Sequence, residues 1–274
     1  MVTVLESIIH GVREDLQERK QQRPIKQLEE EVDQLAPALD TRAALASGGQ
    51  EAVHIIAEVK RSSPSKGQLA SIADPASLAK SYQQGGAALI SVLTEQRRFK
   101  GSLADLQAVR QAVTIPVLRK DFMVDPYQIW EARAYGADLI LLIAAALDDN
   151  QLKDLYDLTY SLGMQALVET HTVQEIERAA QLGAELIGVN VRNLKTLEVD
   201  RSHFASLAQH LPATALAVAE SGVSCAADCA DYARQGAKAV LVGEALVRSP
   251  DPQRTVRDFK VAGAQARQEY LNLL

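Results

Sequence analysis

The sequence is poor in cysteine and in long apolar runs, and each shortage excludes a class of protein. It has 274 residues and two cysteines, too few for a disulfide framework. The longest apolar run, residues 139–147, is about half of what a membrane-spanning helix needs. The N-terminus lacks the apolar core of a signal peptide. These absences predict a cytoplasmic protein that does not bind a membrane.

Features typical of metal and nucleic-acid binding are also missing. Cys225 and Cys229 lie on one predicted helix without further ligands nearby, and the five histidines are dispersed. We therefore expect two packed thiols and no metal ion. The formal net charge is −6, and the 29 Lys and Arg residues form no basic block, so we expect no nucleic-acid partner.

Short apolar segments recur along the chain, and each is followed by an amphipathic stretch. There are eight, at residues 55–57, 88–92, 116–118, 139–143, 166–168, 187–189, 215–219 and 239–242. Continuous apolarity over so few residues is typical of parallel strands covered on both faces. A chain that is 47% hydrophobic at this length can bury one large core. The pattern predicts eight βα units in a single domain, residues 1–274.

Cap signals mark the helices between these strands. Proline follows an N-cap acceptor at Asp74 and Asp125. Residues 102–105 and 172–175 match capping boxes. Glycine, which can take the left-handed cap conformation, precedes alanine before four strands, at Gly86, Gly136, Gly183 and Gly236. These signals predict an α/β fold, a (β/α)8 TIM barrel; an open doubly wound sheet is the alternative, disfavoured because no G-x-G-x-x-G turn follows the first strand.

Residues 1–50 precede the repeating pattern. A capping box at Thr3 and Glu6 begins a helix with one apolar face, made of Leu5, Ile8, Ile9, Val12 and Leu16. The sequence of residues 32–45 predicts a further helical segment. We expect an N-terminal helical extension packed on the barrel.

Polar residues follow five of the predicted strands. In a TIM barrel the active site lies at the C-terminal strand ends, and alternation puts Glu58 and Lys60 on one face of the first strand. The other ends carry Lys120, Glu169, Asn190 and the pair Glu220 and Ser221. Single Lys or Glu residues are usually solvated surface groups or structural ion pairs. Five such ends at one mouth indicate chemistry on a polar substrate.

Glycines after the seventh and eighth strands indicate the kind of substrate. Gly222 and Gly243 allow the backbone to approach a ligand closely, and loops at these places often bind phosphate. The alternative is two tight turns that need glycine for backbone geometry alone. Residues 62–67 offer further donors. We expect a phosphorylated small-molecule substrate.

Taken in order, these motifs resemble the indole-3-glycerol phosphate synthase family. The resemblance spans about residues 55–250 and is carried by residues 56–61, 63–65, 93–95, 99, 101–102, 118–122, 167–169, 188–190, 192–194, 219–222 and 241–244. The family converts 1-(2-carboxyphenylamino)-1-deoxyribulose 5-phosphate into indole-3-glycerol phosphate, carbon dioxide and water, as a carboxy-lyase of tryptophan biosynthesis. The resemblance implies no metal and no organic cofactor. Because no second barrel follows, we expect a monofunctional enzyme, with a monomer favoured.

The resemblance also implies residue roles. Lys120 matches the general acid and Glu169 the general base, while Lys60 holds an anionic part of the substrate or acts as a second acid. Which lysine acts at which step stays open. The remaining catalytic positions are Glu58, Asn190, Glu220 and Ser221. The substrate-binding positions are Ser63, Phe99, Phe122, Leu141, Arg192, Leu194, Gly222, Gly243 and Glu244, the last standing where the family often has a small residue.

Two other functions remain open from the residues alone. A class I aldolase would form a Schiff base on Lys120, which borohydride would trap. A catalytically silent phosphate-binding barrel would bind the ligand without making an indole product.

Overall fold

A computed structural model of the chain describes residues 3–194 and 196–272, and a closed barrel of parallel strands forms its centre. The barrel strands are β1 His54–Val59, β2 Leu89–Leu93, β3 Val117–Lys120, β4 Leu139–Ile143, β5 Gln165–Thr170, β6 Leu186–Asn190, β7 Leu216–Glu220 and β8 Ala239–Val242. Their order around the barrel is β1-β8-β7-β6-β5-β4-β3-β2, closing on β1. Each strand overlaps one predicted apolar segment. The TIM barrel is therefore confirmed, and the open sheet is excluded.

The helices of the described residues alternate with these strands after an N-terminal group of three. They are α1 Val4–Gln22, α2 Ile25–Val32, α3 Thr41–Ala46, α4 Pro75–Gly85, α5 Leu103–Ala112, α6 Pro126–Ala134, α7 Asp149–Ser161, α8 Val173–Leu182, α9 His203–Ala208, α10 Ala226–Arg234, α11 Glu244–Val247 and α12 Pro252–Leu271. A small antiparallel hairpin pairs Ser62–Ser63 with Gly67–Gln68 beyond the end of β1.

Most predicted caps form, but two capping boxes form only in part. Asp74 and Asp125 accept backbone hydrogen bonds at the starts of α4 and α6, and the four predicted glycines have φ from 78° to 99°. At residues 102–105 and 172–175 the N-cap hydroxyl accepts its bond. The second hydrogen bond of each box, from the N-cap N–H to the side chain three residues later, is missing. Asp105 pairs with Arg61 instead, and Glu175 accepts from the His171 N–H.

The barrel interior is built in layers of inward-facing side chains. One apolar layer comes from the odd-numbered strands, with Ile56, Leu118, Leu167 and Val218 all buried. Because side chains alternate along a strand, the next inward residue on each of these strands lies two positions further on. Those residues are Glu58, Lys120, Glu169 and Glu220. A layer of charge therefore lies directly on an apolar layer, at the C-terminal mouth.

The N-terminal extension contacts the barrel at several points. The predicted Thr3 capping box forms, and Leu16 of α1 packs with Leu28 and Tyr127 in one buried cluster. Arg19 donates to Glu131 of α6 at 2.9 Å. Leu45 of α3 joins the interior cluster of the barrel. The prediction of helix over residues 32–45 is wrong for its middle, since residues 33–40 lie between α2 and α3.

The two cysteines differ from the prediction of packed thiols on one helix. Cys225 is the exposed N-cap of α10, and only Cys229 is buried within it. The described part of the chain contains no cluster of three or more His, Cys, Asp or Glu side chains suited to a metal ion. None of its helices combines the length and apolarity that crossing a membrane requires.

Candidate active site

The charged layer places one lysine between two carboxyl groups. Lys120 Nζ lies 3.2 Å from Glu169 Oε2 and 3.4 Å from Glu220 Oε2. Both glutamates are buried, at 2% exposure each. On the adjacent side of the layer, Lys60 Nζ pairs with Glu58 Oε1 at 2.6 Å, and Ser91 on β2 lies 3.4 Å from Glu58 Oε2. Two ammonium groups and three carboxyl groups thus share one site.

These contacts set the protonation states of the central group. Burial lowers the pKa of Lys120, but the charges of Glu169, Glu220 and Glu58 outweigh it, so that pKa is raised and the ammonium form is favoured. Burial raises the pKa of Glu169, yet Lys120 and then His171 overcome it and hold that pKa at about 2. Burial and the neighbouring Glu169 raise the pKa of Glu220 well above its ordinary value. The two carboxyl groups that flank the ammonium group therefore differ in acidity, with the pKa of Glu169 lowered and that of Glu220 raised.

The ends of β6 and β7 are joined by side-chain hydrogen bonds. The Ser221 hydroxyl donates to Asn190 Oδ1 at 2.8 Å, and the backbone N–H of Arg192 donates to the same oxygen at 3.0 Å. Ser221 has φ of 72° and is followed by Gly222 at 78°. A left-handed serine costs about 1 kcal/mol or more, and the Tyr232 hydroxyl, which donates to the Ser221 carbonyl at 3.0 Å, helps hold it.

An aromatic wall rises from the loops after β2 and β3. The rings of Phe99 and Phe122 lie 6.0 Å apart and are tilted by 41°. Buried carboxylates fix both residues: Glu95 accepts the Phe99 N–H at 2.8 Å, and Asp121 accepts the Phe122 N–H at 2.8 Å. Leu141 and Leu194 extend this wall along the same cavity. The arrangement suits a flat apolar group.

The opposite part of the rim is rich in glycine and hydroxyl groups. Ser63 belongs to the hairpin after β1, and Gly222 and Gly243 follow β7 and β8. A Cβ atom at Gly243 would lie 2.9 Å from Lys60 Nζ, so the missing side chain leaves this lysine open to a ligand. Glu244 pairs with Lys66 of the hairpin loop at 2.9 Å. Its carboxylate charge is therefore matched locally.

Every predicted site residue lines one cavity of ≈ 850 Å³ at this mouth. The structure thus brings the catalytic and the substrate-binding positions together. Sequence reasoning missed the contribution of α1, whose Val4, Leu5 and Ile8 also line the cavity. It also missed His171, whose ring lies beside Glu169. The signal for His171 was the strand period, which puts it on the inward face two residues after Glu169.

Solved structures of low sequence identity share this fold. A 3-hexulose-6-phosphate synthase has a TM-score of 0.61 and 16% identity over 77% of this chain and 99% of that one. Thiamine phosphate pyrophosphorylase from Pyrococcus furiosus has a TM-score of 0.59 and 13% identity over 83% of this chain and 99% of that one. With ionisable side chains gathered at the strand ends, where TIM-barrel enzymes have their active sites, this chain has the architecture of a TIM-barrel enzyme.

Sequence comparison identifies the family. The family model for indole-3-glycerol phosphate synthase matches residues 5–259. The indole-3-glycerol phosphate synthase of Arthrobacter sp. (strain FB24) is 58% identical over 97% of this chain and 98% of that protein. That of Paenarthrobacter aurescens (strain TC1) is 59% identical over the same shares. The chain belongs to the indole-3-glycerol phosphate synthase family, whose members are carboxy-lyases of tryptophan biosynthesis.

Proposed function

We propose that the charged layer performs the acid–base steps of this reaction on 1-(2-carboxyphenylamino)-1-deoxyribulose 5-phosphate. The observation that carries the proposal is the position of Lys120 between Glu169 and Glu220, within one cavity that has an aromatic wall and a glycine-rich rim. Incubating the protein with this substrate and following indole fluorescence tests the activity. Absence of fluorescent product from folded protein would contradict it.

The substrate ring is proposed to lie against Phe99 and Phe122, with Leu141 and Leu194 completing the apolar surface. Arg192 is proposed to bind the ring carboxylate, since a guanidinium group fits a carboxylate with two parallel donors. Burial lowers the pKa of Arg192, so a bound anion would compensate the charge that the cavity holds there. In this pose the carbon that bears the carboxylate faces the layer of charge.

Ring closure is proposed to use Lys120 as the acid. The aromatic carbon attacks the ketone carbon, a carbon–carbon bond forms, and the carbonyl oxygen takes a proton from the Lys120 ammonium group. The bond to the carboxylate then breaks, and its electron pair restores the aromatic ring as carbon dioxide leaves. Glu58 and Glu220 keep the lysines charged and oriented, and Asn190 with Ser221 fixes the neighbouring strand ends.

Dehydration completes the indole ring. The hydroxyl group made from the ketone leaves as water after protonation, and Glu169 removes a proton from the adjacent methylene carbon, which creates the double bond. The lowered pKa of Glu169 keeps this side chain deprotonated at neutral pH, so that it can accept a proton. Single-turnover measurements on Lys60→Met and Lys120→Met separate the acid of this step from the acid of ring closure.

The phosphate group is proposed to bind at the opposite rim, between Ser63, Gly222, Gly243 and the backbone N–H of Glu244. Lys60, which faces Gly243, supplies positive charge to this end. The carboxylate of Glu244 pairs with Lys66. This contact supports phosphate binding by the backbone N–H of Glu244 and not by its side chain. Inorganic phosphate should therefore compete with the substrate, and lack of competition would count against this site.

We further infer that the chain works in the cytoplasm, as a monomer, and that the extension and the barrel unfold together as one domain. Two free thiols support a reducing compartment. The Arg19–Glu131 contact and the place of Leu45 in the barrel interior support a single unit. Sedimentation would test the monomer, and one cooperative urea transition would test the single domain.

A further inference from the structure

The imidazole ring of His171 bridges two carboxylates at the edge of the charged layer. Its Nε2 atom lies 3.3 Å from Glu169 Oε1, and its Nδ1 atom lies 3.3 Å from Glu175 Oε2. The His171 side chain is 11% exposed. The Nδ1 contact has hydrogen-bond geometry, and the Nε2 contact with Glu169 is a contact of charges. Because the imidazolium form carries the positive charge that both carboxylates attract, these contacts favour the protonated ring.

The charges that face His171 come from three elements. Glu169 belongs to β5, Glu175 to the first turn of α8, and Lys120 to β3. Burial lowers the pKa of His171 and Lys120 lowers it further, but the hydrogen bond to Glu175 and the charges of both glutamates prevail, so the pKa is raised. The His171 N–H also donates to Glu175 at 2.7 Å, which holds this carboxylate in place.

The two oxygens of Glu169 thus have different partners. Oε1 faces His171, and Oε2 faces Lys120. Glu169 also has hydrogen-bond contacts with Glu220 and Asn190. The positive charges at its two oxygens favour one orientation of the carboxylate, and proton transfer requires that its oxygen lie within hydrogen-bond reach of the proton. The imidazole ring of His171 restrains Oε1 of Glu169 from outside the substrate cavity.

We propose that His171, which lies between Glu169 and Glu175, is a positioning residue that orients Glu169 for proton removal. This inference rests on the proposed role of Glu169 as the base. A purely structural alternative exists, in which His171 and Glu175 only stabilise the start of α8. The two differ in what they predict for turnover as the pH changes.

Steady-state kinetics of five variants between about pH 5 and about pH 9 test the proposal. His171→Ala should lower kcat about tenfold or more with little change in KM, because orientation and not binding is lost. His171→Gln, which keeps a donor, should restore part of kcat. Glu177→Gln is the matched control, since Glu177 is an exposed residue of the same helix, and it should behave like the wild type.

Glu175→Gln gives the decisive pH signature. Losing this carboxylate removes the largest influence that raises the pKa of His171, so the ring should lose its proton at lower pH than in the wild type. Its kcat should equal the wild-type value at about pH 5 and fall towards the His171→Ala value by about pH 8. A purely structural role would lower the thermal stability of the variants without moving the pH profile.

Two results would overturn the inference, and they are distinguishable. If Glu169→Gln loses activity while the His171 variants keep wild-type kcat and pH profiles, the positioning role alone is wrong. If Glu169→Gln itself keeps near-normal kcat, the base assignment is wrong, and the role of His171 falls with it.

Discussion

Removing the ammonium group of Lys120 is the most informative single change. Lys120→Met keeps the length of the side chain but leaves Glu169 and Glu220 without the cation 3.2 Å and 3.4 Å away. A positioned general acid contributes about 10²- to 10⁴-fold, which corresponds to about 3 to 5 kcal/mol of transition-state stabilisation. We expect kcat to fall by that factor. KM should change little, because the groups proposed to bind the carboxylate and the phosphate remain.

The same variant has a predicted effect on stability. The lowered pKa of Glu169, about 2 against an ordinary 4.5, stabilises the folded state above about pH 4.5, and this contribution is lost as the pH falls towards about 2. Without Lys120 the pKa of Glu169 rises and the contribution shrinks. Lys120→Met should therefore melt below the wild type at about pH 7, and the gap should narrow as the pH falls from about 4.5 towards about 2.

Indole fluorescence at saturating substrate measures kcat, and calorimetry measures the melting temperature. Lys238→Met is the matched control, since Lys238 precedes β8 at the other end of the barrel and donates to the Gln50 carbonyl. Its kcat should stay at the wild-type value. Turnover of Lys120→Met within about threefold of the wild type would remove Lys120 from the acid role, since a positioned acid accounts for far more.

Three further changes probe the layer, the rim and the buried charges. Gly188→Ala would push a Cβ atom into Glu220 Oε1, so we expect kcat to fall at least about tenfold; unchanged kcat would exclude a role for the position of Glu220. A side chain at Gly243 would meet Glu58 Oε1 and Lys60 Nζ, so Gly243→Val should raise KM, weaken inhibition by inorganic phosphate and also lower kcat; unchanged inhibition by phosphate would contradict the phosphate site. Arg119→Met leaves Asp121 and Glu131 without their buried partner, so denaturant unfolding should show a loss of about 3 to 5 kcal/mol; a loss under about 1 kcal/mol would contradict this.

The barrel and its charged layer were predictable because both follow from local sequence patterns: the recurrence of short apolar segments and the alternation of side chains along each strand. A parallel strand buried on both faces is a short apolar run, and the charged residues that follow it mark the C-terminal end. Lys120 and Glu169 are separated by many residues in the chain, yet each lies at the C-terminal end of its own strand. Closure of the barrel then brings Lys120 Nζ within 3.2 Å of Glu169 Oε2. The sequence carries no long-range signal for this contact.

The parts that escaped prediction depend on contacts between elements. Thr172 and Glu175 match a capping box, but the Glu175 side chain pairs with His171 instead, because a neighbouring charge competes with the helix terminus. The apolar face of α1 was predicted, but not that Leu5 and Ile8 would line the substrate cavity. An amphipathic pattern says which face is covered and leaves open what covers it.

The strand order explains why one cavity can serve a substrate with chemically different ends. Phe99 and Phe122 follow β2 and β3, and Leu141 lies within β4; these three strands are consecutive around the barrel. Ser63, Gly243 and Gly222 follow β1, β8 and β7, which are also consecutive. The apolar wall and the proposed phosphate rim therefore occupy separate arcs of the mouth. The layer of Glu58, Lys120, Glu169 and Glu220 lies between these arcs, because its members come from every second strand. A molecule with an aromatic ring at one end and a phosphate at the other would thus place its central ketone over the ammonium group.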